Sequence, residues 1–457
     1  MSANSSTTDL EKGVISPAAK GSETPQRSCF ASFIRFISSE YRILFTFIFV
    51  INLIGMIAFG WEWCLHGRPN EQICTLAATI NIAMSIVIRE EHVVNALYYI
   101  FTAVPKTAPL WIRRRMGKIY HLGGLHSGCA VAATIWFILL SVEKTISFAR
   151  ITQPSAAPCA LIGIIFTLDV LLMAMCIMAY PTIRAKLHNA FELVHRLAGW
   201  SALGLFWALV ILDAFVNNPS GRSLAIAIVA NANLWLVLLS TCSIISTWLN
   251  CRKLPVTAQK LSSHAIRLFF NYAKPQPGTT IRLSSQPLLE WHAFATVTDP
   301  EKEGFSLIVS NAGDWTKKLI SEPPKQIWAR RHPTCGVLRI APMFKSIVLV
   351  ATGSGIAPCL PVILAKQTDV TLFWSTRDPL ETYGPEIGAI IANMGKKAHI
   401  HNTTTMGRPN TLPTVLDLYE KTRSEAVVVI SNPKLTLDLV LDLEARGIPA
   451  FGPIWDS

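Results

Sequence analysis

The chain has 457 residues, 51% of them hydrophobic and only 15% charged, with a formal net charge of +12. That length holds two or three domains, and so apolar a composition implies that part of the chain is lipid-embedded. The ten cysteines form no CxxC pair, which argues against zinc or disulfide scaffolds, and the positive charge is that of inward membrane loops rather than of a nucleic-acid partner.

The first 36 residues open with a polar stretch rich in Ser and Thr, residues 1–28, and lack the apolar core of a signal peptide. They are expected to form a disordered cytosolic tail. Six segments then approach the roughly 20 apolar residues needed to cross a bilayer: 43–61, 72–88, 120–142, 159–180, 191–214 and 223–248. The run "VVNALYYIFTAVP" is too short to span and is expected at the interface or against the bundle. Cys64 and Cys74 flank one short loop and are placed to pair if it faces outward.

Arg89, Lys106, Arg113, Arg114, Arg115 and Lys118 lie between segments two and three. Arg184 and Lys186 lie between four and five, and Arg252 and Lys253 follow six. The alternate loops carry Arg68, Lys144, Arg150 and Arg222. The positive-inside rule therefore puts both termini in the cytosol, on either the plasma membrane or an endomembrane.

From about Leu254 the pattern changes. "TTIRLSSQPLLEWHAFATV" and "GFSLIVSNAG" read as strands of a small β-barrel. After Ser346, "SIVLVATG", "VTLFWST", "KAHIHNT" and "EAVVVIS" read as strands. "APCLPVILAKQ", "GPEIGAIIANMG", "LPTVLDLYEK" and "KLTLDLVLDLEARG" alternate with them as helices. That alternation predicts a parallel, doubly wound sheet.

In "VLVATGSGIAP", Gly353 and Gly355 allow a sharp turn and a close approach to a phosphate. The helix that follows points free N–H groups at the anion. A strand before and a helix after is the context such a turn requires.

In the membrane half, histidines inside lipid call for a functional reading. His121 and His126 lie in "YHLGGLHSGCA", and His188 and His195 in "LHNAFELVHRLAGW". Imidazole is a common axial ligand of haem iron. Glu192 to His195 is also a Glu-x-x-His step of the di-iron kind, without a second such step.

The order "EWHAFATV", "NAGDWTKKL", "ATGSGIAP", "SNPKLT" and "AFGPIWDS" resembles the ferredoxin–NADP reductase half of ferric reductases and NADPH oxidases. By that resemblance His292 and Phe294 would line a flavin. Gly313 and Thr316 would lie at its pyrophosphate, with Thr316 donating its hydroxyl. Gly353, Gly355 and Pro358 would form the nicotinamide-dinucleotide turn, and Trp455 would stack on the isoalloxazine. Arg377 would meet a 2′-phosphate and favour NADPH, whereas Asp378 suggests NADH. Ala293 stands where the family has Pro, and Ser431-Asn432 where it has Cys-Gly, with Ser431 inheriting that turn.

"VHRLAGWSALGLF" resembles the fifth transmembrane helix of ferric reductases. That family pairs histidines 13 or 14 residues apart on two helices. Here those stations hold Leu139, Leu140, Ala208 and Leu209. At most one haem b therefore fits, between His126 and His195 on the cytosolic side, with His121 and His188 as weaker candidates. Most of the chain after about residue 35 resembles fungal TmpA-type integral membrane flavoproteins. The quoted stretches around His121, His195, Gly353 and Trp455 carry the likeness.

The expected fold is thus a six-helix membrane bundle (37–253), a β-barrel FAD domain (254–342) and an α/β doubly wound nicotinamide-binding domain (343–457). The expected activity is an NAD(P)H-dependent flavin oxidoreductase, with FAD and NADPH or NADH as cofactors. Electrons would pass to a small-molecule or metal acceptor in or near the lipid membrane. The alternative is a catalytically quiet nucleotide-binding membrane sensor of small-molecule signalling or secondary metabolism.

Overall fold

The computed structural model describes residues 39–67, 71–218 and 222–454. The N-terminal tail and Trp455 lie outside the described residues. A helical half precedes a half made of three sheets.

The long helices are α1 (Glu40–His66), α2 (Glu71–Val87), α3 (Glu91–Thr102), α4 (Leu110–Met116), α5 (Gly123–Ala149), α6 (Ala156–Met178), α7 (His188–Val216) and α8 (Ala232–Leu249). Among the described residues five helical runs are long and apolar enough to cross a membrane, or up to six if the bent pair α2–α3 counts as one. The bend is 74°. It has a local cause: Glu90 leaves helical geometry and caps α3, its Oε2 accepting from the Val93 N–H at 2.9 Å. The predicted sixth segment is interrupted instead of continuous. A short helix, Leu224–Val229, stops at Ala230, and Asn231 starts α8 as its N-cap.

α1 and α5 meet closely because Gly124 and Gly128 face α1. A Cβ on Gly124 would lie 2.2 Å from the Tyr41 carbonyl oxygen, and one on Gly128 3.0 Å from the Ile48 Cβ. This is the small-xxx-small approach of membrane helices. The other face of α1 turns outward, with Ile54, Ile57 and Trp61 each more than 60% exposed. Cys64 is exposed and Cys74 buried, and both are free thiols, so the pairing read from their spacing is not formed.

The middle of the chain gives two antiparallel sheets. One has the order β1-β7-β4-β5 and the other β2-β3-β6. Their strands are β1 (Cys251–Pro255), β2 (Thr257–Lys260), β3 (Ala265–Phe270), β4 (Thr279–Ser284), β5 (His292–Ala295), β6 (Phe305–Ser310) and β7 (Gln326–Cys335). A bridge from Val297 to Ser306 links β6 to the end of β5. The strands share a core of Ile266, Leu268, Ile281, Leu283 and Leu307. Helix α9 (Asp314–Ser321) closes one end.

The last part is a parallel sheet in the order β10-β9-β8-β11-β12. It is built from β8 (Ser346–Thr352), β9 (Asp369–Thr376), β10 (Ala398–Asn402), β11 (Ala426–Ile430) and β12 (Ala450–Phe451). Helices α10 (Ile356–Ala365), α11 (Pro379–Ala392), α12 (Thr411–Thr422) and α13 (Pro433–Glu444) cover it. Both faces are buried, which explains the uninterrupted apolar runs of β8 and β11.

The halves are tied by buried polar contacts. Arg113, on α4, reaches Glu425 through two nitrogens at 2.6 and 3.0 Å and donates to the Met343 carbonyl at 3.1 Å. Lys118 pairs with Glu444 and donates to the Ala450 carbonyl. Asn95, on α3, donates to the Pro333 carbonyl and accepts from the Cys335 N–H, both at 2.8 Å. The short apolar run of α3 thus packs on strand β7 through a polar residue.

Candidate functional site

In an open parallel sheet the ligand crevice lies outside the carboxyl ends of the strands, where the strand order reverses. Here that point falls between β8 and β11. The four residues Ile347–Val350 are fully buried, and the chain then turns through a single 3-10 turn, Gly353–Gly355. Gly353 has φ 51°, a left-handed value suited to glycine. Gly355 is required for a different reason: a Cβ there would sit 2.2 Å from the Ile430 carbonyl oxygen. Its absence lets the turn close on β11, so that the Thr352 and Ser431 hydroxyls meet at 2.6 Å. Trp374 Nε1 fixes the turn by donating to the Gly353 carbonyl at 3.0 Å. Pro358 lies in the first turn of α10, where its missing N–H costs no helical hydrogen bond. The structure therefore brings Gly353, Gly355, Pro358 and Ser431 together.

Arg377 is exposed at the end of β9. Its neighbour Asp378 has φ 28°. The Asp378 carboxylate accepts from the Thr404 hydroxyl at 2.8 Å and from Asn402 Nδ2 at 3.1 Å. Those bonds hold its carboxyl below the usual range. Asp378 is thus engaged in shaping the loop after β10. Tyr383, 1% exposed, packs against Trp374 with ring centres 5.4 Å apart, and its hydroxyl is the nearest group to a Cβ placed on Gly353, at 3.6 Å. Burial pushes its phenol up to about 12.

His292 and Phe294 lie on β5, the edge strand of its sheet. Trp315 stacks on His292 with ring centres 4.2 Å apart, and lies 5.9 Å from Phe294. Its Nε1 donates to the Ser285 hydroxyl at 3.0 Å. Gly313 is exposed. The Thr316 hydroxyl donates to the Gly313 carbonyl at 2.9 Å and accepts from the Ala312 N–H at 2.8 Å, both within the turn.

In the bundle, His126 lies between Gly124 and Gly128. Its Nδ1 is 2.8 Å from the Ser85 carbonyl oxygen. A carbonyl only accepts, so Nδ1 carries the proton and Nε2 keeps its lone pair. The ring centres of His126 and His195 are 6.2 Å apart. His195 Nδ1 is buried without a hydrogen-bond partner. Two imidazoles on one iron would put their ring centres roughly 6 Å apart, with about 2.0 Å per metal–nitrogen bond. The observed spacing is of that size, and the two rings stand edge to face at 64°. His121 stacks on Tyr120 at 4.4 Å, with both ring nitrogens buried and unpartnered. His188 is exposed and pairs with Glu192 at 3.4 Å. The di-iron alternative finds no support: among the described residues no group of three or more His, Cys, Asp or Glu is placed to hold a metal.

Sequence reasoning missed Trp315 and Tyr383 as positioning groups. The "GDWT" motif contained the first, but only the fold places it over His292. It also missed a cavity of about 250 Å³ beside His126, lined by Arg89, Arg196 and Arg330. Arg89 was legible only as an orientation charge.

Residues 337–457 match the family model described as the C-terminal domain of Adenylate-forming reductase 03009. Over 421 residues, 92% of this chain, the sequence is 38% identical to Adenylate-forming reductase 03009 of Coprinopsis cinerea, and over 422 residues 40% identical to Adenylate-forming reductase 06235 of the same fungus. The chain spans about 40% of the length of each relative. Among solved structures, a ferredoxin NADP+ reductase from Neisseria gonorrhoeae with bound FAD and NADP aligns with 45% of this chain and 98% of its own, at 16% identity and a TM-score of 0.37. A ferredoxin-NADP+ reductase from Plasmodium falciparum with 2'P-AMP aligns with 45% and 95%, at 10% identity and a TM-score of 0.36. The chain is therefore similar along nearly all of its length to part of two fungal adenylate-forming reductases, and the family model it matches covers its final parallel sheet.

Proposed function

We propose that this chain is a membrane-bound flavoprotein oxidoreductase of the TmpA type, taking electrons from NAD(P)H and delivering them to an acceptor in or near the inner leaflet. The observation that carries the reading is the crevice at the strand-order reversal. A glycine turn, a helix N-terminus and the Thr352–Ser431 hydroxyl pair converge there. Backbone N–H groups of the turn and of α10 would receive the pyrophosphate of the dinucleotide. Arg377 would take a 2′-phosphate, and with Asp378 held by Thr404 and Asn402 the strand end favours NADPH over NADH.

The edge strand β5, with His292, Phe294 and the stacked Trp315, would hold FAD, and Gly313 would let a phosphate approach the α9 turn. Bound flavin supplies the conversion between two-electron and one-electron transfer. His126 and His195 would hold at most one haem b, His126 kept in one tautomer by the Ser85 carbonyl. The outward apolar face of α1 and the five spanning-length helices support a multi-pass membrane position with the sheets on the cytosolic side. The relatives' names pair adenylate formation with reduction; the reducing part is the one proposed here. A small metabolite or a metal is the proposed acceptor.

One observation favours the sensor as a second reading. The Ser431 hydroxyl, which stands where the resembled family has a thiol, is already bonded to Thr352. NADPH oxidation with an artificial acceptor tests both: turnover by flavin-loaded protein supports the oxidoreductase, and its complete absence supports the sensor.

A further inference from the structure

At the end of the helical bundle that meets the four-stranded sheet lies the cavity of about 250 Å³ beside His126. Three guanidiniums from three separate elements line it: Arg89 at the α2–α3 bend, Arg196 on α7 and Arg330 on β7. Arg282 lies behind Arg330, pairing with Glu91 at 2.6 Å. Two carboxylates stand against these four cations, and both are engaged. Glu90 accepts from the Val93 N–H and, at 2.7 Å, from the Ser246 hydroxyl. Glu91 serves Arg282 and, at 3.5 Å, Arg330.

The cavity cations are underused. Among the described residues neither Arg89 nor Arg196 forms an ion pair, and the Arg196 head group makes one bond, to the Leu288 carbonyl at 3.3 Å. The Arg330 Nε is buried with no hydrogen-bond partner. Two indoles fix that guanidinium in place, Trp291 at 4.7 Å and Trp248 at 5.9 Å from its carbon. The buried Arg330 Nε–H is costly unless a ligand completes it, whereas Arg89 is exposed and Arg196 half-buried, so their head groups are open to an incoming anion. Four guanidiniums against two carboxylates leave an excess of two positive charges. A phosphate monoester carries about −1.5 to −2 at neutral pH and accepts planar guanidinium forks on several oxygens.

We propose that this cavity binds a phosphate monoester, supplied by the headgroup of an anionic phospholipid. Basic pockets between membrane helices on the cytosolic side take such headgroups, and tryptophans such as Trp200 and Trp248 suit that depth. The lipid source rests on the membrane reading above; the phosphate chemistry does not. The Arg89 and Arg196 side chains close on the phosphate from the bundle while Arg330 meets it from the sheet.

The test is tryptophan fluorescence of the purified full chain, titrated with short-chain phosphatidic acid, with phosphatidylcholine of the same chain length and with inorganic phosphate. The expected result is a saturable change with phosphatidic acid, none with phosphatidylcholine, and about tenfold weaker binding for each of Arg89→Gln and Arg196→Gln. Arg115→Gln, away from the cavity, should bind as the unaltered chain does. Inorganic phosphate that binds as tightly as the lipid supports the site with a soluble ligand as its source. Equal responses to the two lipids, or undiminished binding by folded Arg89→Gln and Arg196→Gln, would overturn the proposal. Loss of a Soret band in Arg196→Gln without any phosphate response would overturn it in favour of porphyrin carboxylates. A chain that stays monodisperse without detergent would sink the membrane reading and leave the phosphate titration to decide this one.

Discussion

Gly353 and Gly355 stand two residues apart in one motif, yet the structure uses them differently. Gly353 needs a left-handed backbone, and the nearest atom to an added Cβ is the Tyr383 hydroxyl at 3.6 Å. Gly353→Ala should cost about 1 kcal/mol, the price of that conformation for an L residue. Gly355 has φ −58°, open to any residue, but an added Cβ would strike the Ile430 carbonyl. Gly355→Ala should therefore cost more, about 1–3 kcal/mol through overpacking, and should part the turn from β11. Thermal melts of the two variants, with NADPH binding measured on each, check the order; equal losses would contradict it. At the neighbouring strand end, Arg377→Ala should raise the KM for NADPH about tenfold, the loss of one charge-assisted contact, and leave NADH nearly unchanged. An equal effect on both nucleotides would remove Arg377 from the 2′-phosphate.

The motif spacing was legible in the sequence at this scale because a Gly-x-Gly-x-x-Pro turn between strand and helix has few other uses. Which glycine serves packing and which serves φ was not, because that depends on Ile430, some 75 residues away. Thr316 shows the same limit: the bonds its hydroxyl makes to Ala312 and Gly313 within its own turn are not revealed by sequence position.

Among elements, the contact between α4 and the parallel sheet decides whether the two halves act as one body. Arg113 is 5% exposed at its side chain and Glu425 19%. Removing one member of so buried a pair strands the other. Glu425→Ala should lower stability by about 2–3 kcal/mol, below the full buried-pair range because Glu425 keeps some access to water. The docking should also depend on pH. Burial alone would raise the Glu425 carboxyl, but the Arg113 guanidinium and the Lys345 N–H outweigh it and hold it below the usual range. A depressed folded-state pKa gives stability that is present above the unfolded value, about 4.3, and is lost as pH falls through the folded value. Limited proteolysis between the halves at pH 7 and below pH 4 checks this. The acid-induced increase should vanish in Glu425→Gln; an unchanged increase would place the pH response elsewhere.

Four of the five α/β strands and their helices were readable from periodicity, since buried parallel strands are continuous apolar runs; β12, two residues long, is too short to show one. The break before α8 was not, because "SLAIAIVANANLWLVL" is apolar on both sides of Asn231 and only its capping role marks the stop. The role of α3 was half visible: twelve residues are too few to span, but its partner, strand β7, is reached through the polar residues Glu91, His92 and Asn95.

For the whole molecule, the central claim is a path from a nicotinamide crevice, past a flavin on β5, to the paired imidazoles of the bundle. The polar ties of Arg113, Lys118 and Asn95 hold the sheets against the helices, so the path needs no swinging domain. The outer histidine stations of the resembled family are absent from the sequence, so the proposed path would end at the inner half of the bundle. The measurement that tests this most directly is the absorption spectrum of the detergent-purified chain, oxidised and then reduced with NADPH. The account predicts a flavin spectrum that bleaches on reduction, with any Soret band shifting in step and disappearing in His126→Ala and His195→Ala. A protein that retains no flavin, or whose flavin NADPH leaves oxidised, would contradict it.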